Sequence, residues 1–161
     1  MQIRKLDPKA DLQAVHDLYQ RAADFWVMSD RKPPDLQKAA EFFTDGPPGC
    51  DPAQSHRLGL FQDDRLMGVA ELSFGWPGPG DPFLGLQLLA PEARGQGLGP
   101  AFLAEIEARA RATGARSLYL GVLQENARGM AFWQAQGFRP TGVIRFDAET
   151  GHTIHRLAKA L

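Results

Sequence analysis

The stretch Arg94-Gly95-Gln96-Gly97-Leu98-Gly99-Pro100 joins an apolar, strand-like run at 83–89 to an amphipathic, helix-like run at 98–113. Three glycines at alternate positions let the backbone approach a ligand closely, because no Cβ intervenes. The N-terminus of the helix adds free N–H groups and a partial positive charge, so the two features together make an anion site. Arg94 brings a full charge and a planar fork of donors to its mouth. The first carboxylate of the helix is Glu105, which leaves the dipole for a ligand. Pro100 suits the first helical turn, where its missing N–H breaks no bond. The same glycines would also serve a plain tight turn before a helix. Two nucleotide signatures are excluded. A Walker loop needs a lysine after its last glycine, and none follows here. A dinucleotide fingerprint needs Gly-x-Gly-x-x-Gly; Gly95 and Gly97 are followed by Pro100, and Gly97 and Gly99 by Phe102.

The 161 residues suit a single domain, 1–161, with a sizeable core. A hydrophobic content of 43% argues against both disorder and a membrane-spanning chain. The first residues lack the apolar core of a signal peptide, so a cytoplasmic location is the default expectation. A formal net charge of −1 argues against a general nucleic-acid binder. Cys50 is the only cysteine, so neither an internal disulfide nor a cysteine-based zinc cluster is expected, and no metal site is read. It lies in a Gly/Pro-rich loop with no histidine placed to activate it.

Outward from the glycine stretch, the pattern reads as a strand at 2–6 and a helix from 11 to about 28, with Asp11 as its cap. A second helix spans 36–43, with Asp35 placed to cap it. A hairpin follows, 57–61 and 65–75, turning at Asp63-Asp64. Residues 75–82 are too rich in Gly and Pro for regular structure. After the helix at 98–113, Gly114 is a natural C-cap. A buried strand at 117–123 and a helix at 126–136 come next. Another strand starts at Phe138, and 145–149 with 153–157 form a last antiparallel pair. The order β-α-α-β-β-β-α-β-α-β-β predicts an α/β (α+β) chain: a mixed, mostly antiparallel twisted sheet with helices on both faces.

These residues resemble the GNAT superfamily of N-acetyltransferases. That family's core motif is Arg/Gln-x-x-Gly-x-Gly/Ala, and Arg94 to Gly99 fit it throughout. Pro91-Glu92-Ala93 before it, Asn126-Ala127, and Gly137-Phe138-Arg139-Pro140-Thr141-Gly142 extend the likeness over residues 84–142. The resemblance implies the GNAT fold and acetyl-CoA, or another acyl-CoA, as donor. It implies that the backbone of Leu88, Leu89 and Ala90 pairs with the pantetheine arm. The amides of Gly95, Gln96, Gly97, Leu98 and Gly99 would hold the pyrophosphate, with Arg94 beside them and Pro100 opening the helix. Asn126 would face the pantetheine, or simply cap its helix. Arg128 would meet CoA phosphates or solvent.

Acetyl transfer to an amine needs a proton acceptor and a donor for the oxyanion, and is helped by a proton donor for the thiolate. By resemblance, a backbone N–H near Leu88 or Leu89 is the oxyanion donor. Many relatives carry an acidic base on the strand before the glycine loop, but 83–89 has no acid. Glu71, on the preceding strand, is the candidate base: alternation puts it with Met67 and Val69, where an apolar setting raises a carboxyl pKa. Its alternative is a wet position at the sheet's rim. Asp81, His56, His152, His155 or a water chain are weaker candidates. Relatives often place a tyrosine acid four residues before the Gly-Phe pair; Trp133 fills that slot, and an indole is no useful acid. Tyr119 is the nearest substitute, with core packing as its other job.

The expected function is direct transfer of an acetyl group to a primary amine on a small molecule or peptide. Phe25, Trp26, Trp76, Asp24 and Asp30 are available to its pocket. Neither nucleic acid nor a membrane is expected as a partner, and a homodimer is compatible with the sequence. A non-catalytic CoA-binding module of the same fold is the alternative, and a plain nucleotide binder is a third.

Overall fold

The computed structural model describes residues 1–161, and its sheet is built outward from a hairpin. Strands β2 (His56–Gln62) and β3 (Arg65–Phe74) pair antiparallel around Asp63 and Asp64. Both aspartates hold positive φ, 50° and 64°. A two-residue hairpin of type I′ needs that left-handed pair, and Asp tolerates it better than most side chains. β1 (Gln2–Lys5) adds to β2, and β4 (Pro82–Leu89) adds to β3. With β5 (Ser117–Leu123), β6 (Arg139–Phe146) and β7 (Thr153–Ala160) they form one seven-stranded sheet, ordered β1-β2-β3-β4-β5-β7-β6. Only β4 and β5 run parallel.

Alternation along β3 shows helices on both faces. Glu71 meets Tyr19, Trp26 and Phe42 around one cavity. These come from α1 (Leu12–Arg21), α2 (Ala23–Asp30) and the end of α3 (Leu36–Glu41). Gly68, at odd separation, points the other way. A Cβ there would lie 3.5 Å from Phe102 on α4 (Leu98–Arg111). On α4, Leu98, Phe102, Ile106 and Ala110 recur at helical spacing and are all buried. α5 (Ala127–Ala135) sits beside the start of α4, where Phe132 closes over Gly99.

Three local expectations are corrected. The helix expected from 11 to 28 is two helices, broken at the fully buried Ala22. The apolar residues Phe25, Trp26, Val27 and Met28 are consecutive and make no single stripe, and the break lets Trp26 pack on Tyr19, centroids 4.6 Å apart. Asp11 does not cap α1 with its side chain. It receives two hydrogen bonds from Arg4, at 2.9 and 3.0 Å, and one from Asp7 N–H at 2.7 Å. The strand at 145–149 is the end of one long strand, β6. Glu149 lies in the following turn, where Asp147 accepts from Glu149 N–H and the Thr150 hydroxyl.

Candidate active site

β4 and β5 pair only at Phe83 with Tyr119 and Leu84 with Leu120, then part. A cleft of about 660 Å³ opens between them, floored by β4 and β5 and closed by α5 and the glycine loop. Ala90 N–H bonds Met67 O on β3 at 2.8 Å. Alternation therefore turns the N–H and C=O of Leu89 away from β3, into the cleft. The Leu89 carbonyl indeed accepts from Arg94 Nε at 3.3 Å.

The loop meets the cleft with bare backbone. Gly95 and Gly97 have φ of 75° and 78°, and a Cβ on either would face open space. Gly97 caps α4 with no side-chain bond, and the first turn holds no acid. The helix N–H groups are thus left for a ligand. Leu88, Leu89, Arg94, Gly95, Gly97 and Gly99 line this cleft, as do Pro100, Asn126 and Arg128. The side chains of three expected residues turn elsewhere. Ala90 is fully buried against β3, Leu98 packs into the core, and Gln96 projects outward, its amide donating to Glu92 O at 2.7 Å. Asn126 lines the cleft, and its Oδ1 accepts from Gly129 N–H at 2.9 Å as the cap of α5.

Arg94 lines the cleft and also makes an ion pair. Its fork is already taken by Asp24 of α2, at 2.7 and 3.2 Å. That pair bolts α2 to the glycine loop. The hydrogen bond from Arg94, followed by its charge, holds the Asp24 carboxyl below the usual range.

A second cavity of about 210 Å³ adjoins the cleft, and the two share Phe25, Gly85 and Leu86 as walls. Glu71 lines it, 8% exposed. Ser73 donates to Glu71 Oε2 at 2.6 Å. Gly85 makes the room: a Cβ there would overlap the Glu71 carboxylate. Burial pushes the Glu71 carboxyl up, against the lowering effect of the Ser73 bond and then of Arg57. The wet-rim alternative for Glu71 is therefore wrong. Arg57, its cross-strand partner, is clamped by Ser55 Oγ, to which its Nε donates at 2.8 Å, and by Phe42 O.

Tyr19, Phe42, Arg57, Ser73 and Gly85 were missed from sequence. Two had a signal. A glycine inside a strand marks close approach, and Ser73 shares a face with Glu71 by alternation.

The weaker candidates are employed elsewhere. Asp81 orders the 75–82 loop by accepting from Gly78 N–H at 3.0 Å. His152 is 2% exposed and its Nε2 lies 2.8 Å from Met28 O, tying the β6–β7 turn to α2. His56 packs on Phe74 beside Arg109, and His155 lies against Gln124. Trp76 carries Arg156 over its ring, outside both cavities. Burial, then Glu71, raises the Cys50 thiol, the opposite of what a nucleophile needs. Trp133 lines the cleft half-buried, edge-on to Phe132 and Phe138 at 4.9 and 5.4 Å.

A cleft between parting parallel strands, with a glycine loop at a helix N-terminus, is the architecture of an acetyltransferase fold. The acetyltransferase (GNAT) family model matches residues 12–138, and the chain belongs to that family. An acetyltransferase from Thermus thermophilus superposes with a TM-score of 0.79 at 24% identity, covering 99% of this chain and 96% of that one. The ribosomal-protein-S18-alanine N-acetyltransferase of Escherichia coli gives 0.72 at 21%, covering 99% and 92%. A Thermoplasma acidophilum N-acetyltransferase in complex with coenzyme A gives 0.71 at 20%, covering 99% and 98%. At these identities the likeness is one of fold. No curated protein matches the sequence significantly.

Proposed function

We propose that this chain is an acetyl-CoA-dependent N-acetyltransferase that passes the acetyl group directly to a primary amine. The observation that carries this reading is the shared wall: Gly85 and Leu86 separate the two cavities, and the Glu71 carboxylate lies against Gly85. The donor cleft fits the acyl-CoA arm. It offers strand backbone at Leu89, bare amides at Gly95 and Gly97, and a helix N-terminus without its own anion. Acetyl-CoA supplies an acyl thioester. The chain's residues supply the rest. Glu71, ionised, takes a proton from the acceptor ammonium, and the freed nitrogen lone pair attacks the thioester carbonyl. In this reading the Leu89 N–H donates to the oxygen as charge develops there. The nitrogen of the tetrahedral adduct gives up its second proton as the C–S bond breaks and the thiolate leaves with the sulfur electrons; that thiolate takes a proton back through solvent, so amide, thiol and one released proton balance the reaction. A cysteine-like thiol has a reference pKa of about 8.5, so the thiolate leaves without a protein acid at Trp133.

The test is acceptor-dependent release of free thiol from acetyl-CoA. Release with an amine, absent without it, is expected. Tight CoA binding with no release for any amine would favour the non-catalytic CoA-binding reading.

A further inference from the structure

Resting on the acetyltransferase reading, we infer that the acceptor is a small aliphatic diamine. Its reacting amine lies at Glu71, and its second ammonium lies at Glu41 and Asp45. The second cavity has two chemically distinct ends. The inner end holds Glu71, whose Oε1 accepts no hydrogen bond from the protein, and Tyr19, 1% exposed, whose hydroxyl has no protein partner. Both residues line the cavity, and an ammonium has three donors to give their oxygens. Burial first, then Asp30, Asp45 and Glu41, pushes the Tyr19 phenol well above its usual range, so it stays neutral.

The outer end holds Glu41 and Asp45, which have neither an ion pair nor a side-chain hydrogen bond. Lys38 does not serve them, because Asp30 holds its ammonium at 3.0 Å. That ammonium also lies 4.7 Å from the centre of the Trp26 ring. The aromatic wall of this cavity thus already accepts a cation. Arg57 is the remaining positive group; its Nε and Nη1 are held by Ser55 Oγ and Phe42 O, while its Nη2 is buried without a partner. Three carboxylates against one arginine leave two negative charges facing the cavity when Glu71 is ionised. A dication balances them. A monoamine leaves Glu41 and Asp45 unserved, and an ω-amino acid puts its carboxylate against them. Between the two ends, Phe42, Trp26 and Tyr19 offer apolar surface to an alkyl spacer.

The experiment compares 1,4-diaminobutane, n-butylamine and 4-aminobutanoate as acceptors, by thiol release at saturating acetyl-CoA. The diamine should exceed butylamine in kcat/KM by about tenfold or more, the scale of a hydrogen-bonded ion pair. The amino acid should be poorest. In a folded variant carrying Glu41→Gln and Asp45→Asn, the ratio of diamine to monoamine should fall toward one. Equal rates for diamine and monoamine, a preference for 4-aminobutanoate, or a diamine preference that survives the double substitution would each overturn the inference while leaving amine acetylation intact. No release with any of the three, with CoA binding retained by calorimetry, would overturn the diamine inference alone; amine acetylation falls only if a wider set of amines also gives no release.

Discussion

Glu71 sits where burial raises its carboxyl above the usual range, with Ser73 and Arg57 pulling the other way. The base form is the ionised one, so kcat should rise with pH through that elevated pKa. Glu71→Gln should lower kcat by about 10²–10⁴ and remove this acidic limb while CoA still binds. An unaltered pH profile would move the search to a water relay. The same side chain weighs against stability. A raised folded-state pKa means the folded chain holds the proton more tightly than the unfolded one. Stability therefore falls as pH climbs from the ordinary carboxyl value to the raised one. Relative to the native chain, Glu71→Gln should gain more in urea midpoint above that window than below it; an equal gain at both ends would show that Glu71 does not titrate across it. At Trp133 the expected effect is small. Trp133→Phe removes an indole N–H and some packing, and should keep kcat within about tenfold, against about 10²–10⁴ for loss of a general acid. A hundredfold fall with unchanged CoA affinity would show that the indole N–H acts in the transition state.

At the scale of elements, the loop and helix α4 work as one unit. Gly97 holds a left-handed φ of 78° at the N-cap. Valine there would both strain the loop and put a branched side chain into the open space beside it. Gly97→Val should abolish CoA binding, and calorimetry with unchanged affinity in a folded variant would refute the donor site. Arg94→Ala should weaken CoA binding by about 1.5–3 kcal/mol, the usual scale for a hydrogen bond to a charged group. The Asp24 contact adds a second arm. Asp24 shares Arg94's fork and sets a carboxylate beside an anion site, so Asp24→Asn should tighten CoA binding. Weaker binding would mean that Asp24 aims the fork rather than competing for it.

For the whole molecule, folding and donor binding are linked. Acetyl-CoA at about a hundred times its Kd should stabilise the chain by about 2.7 kcal/mol. The gain in Tm should vanish in Gly97→Val if the loop is the site. Phe138 is fully buried, just after Gly137 with its φ of 97°. Phe138→Ala should cost about 3–5 kcal/mol, read from urea unfolding. A loss under about 1 kcal/mol would mean that α5 and β6 pack independently of the core.

The sequence determined a good deal by itself. Local chemistry writes the glycine loop, the Asp63-Asp64 turn, the Asp35 and Asn126 caps and the alternation along β3, because each depends on residues a few positions apart. The strand–glycine loop–helix order carried the family resemblance and the expectation of a donor site. Tertiary structure alone decided the rest. The α1–α2 break depends on Trp26 reaching Tyr19, which no helical period reports. The Arg94–Asp24 pair joins residues seventy apart, and the cleft exists because β5, crossing over beyond α4, leaves β4 after two residue pairs. The Glu71 setting depends on a glycine in a neighbouring strand and on aromatic residues from α1, α2 and the end of α3. Such contacts are fixed by which surfaces meet when the chain closes, and spacing along one strand does not encode its neighbours.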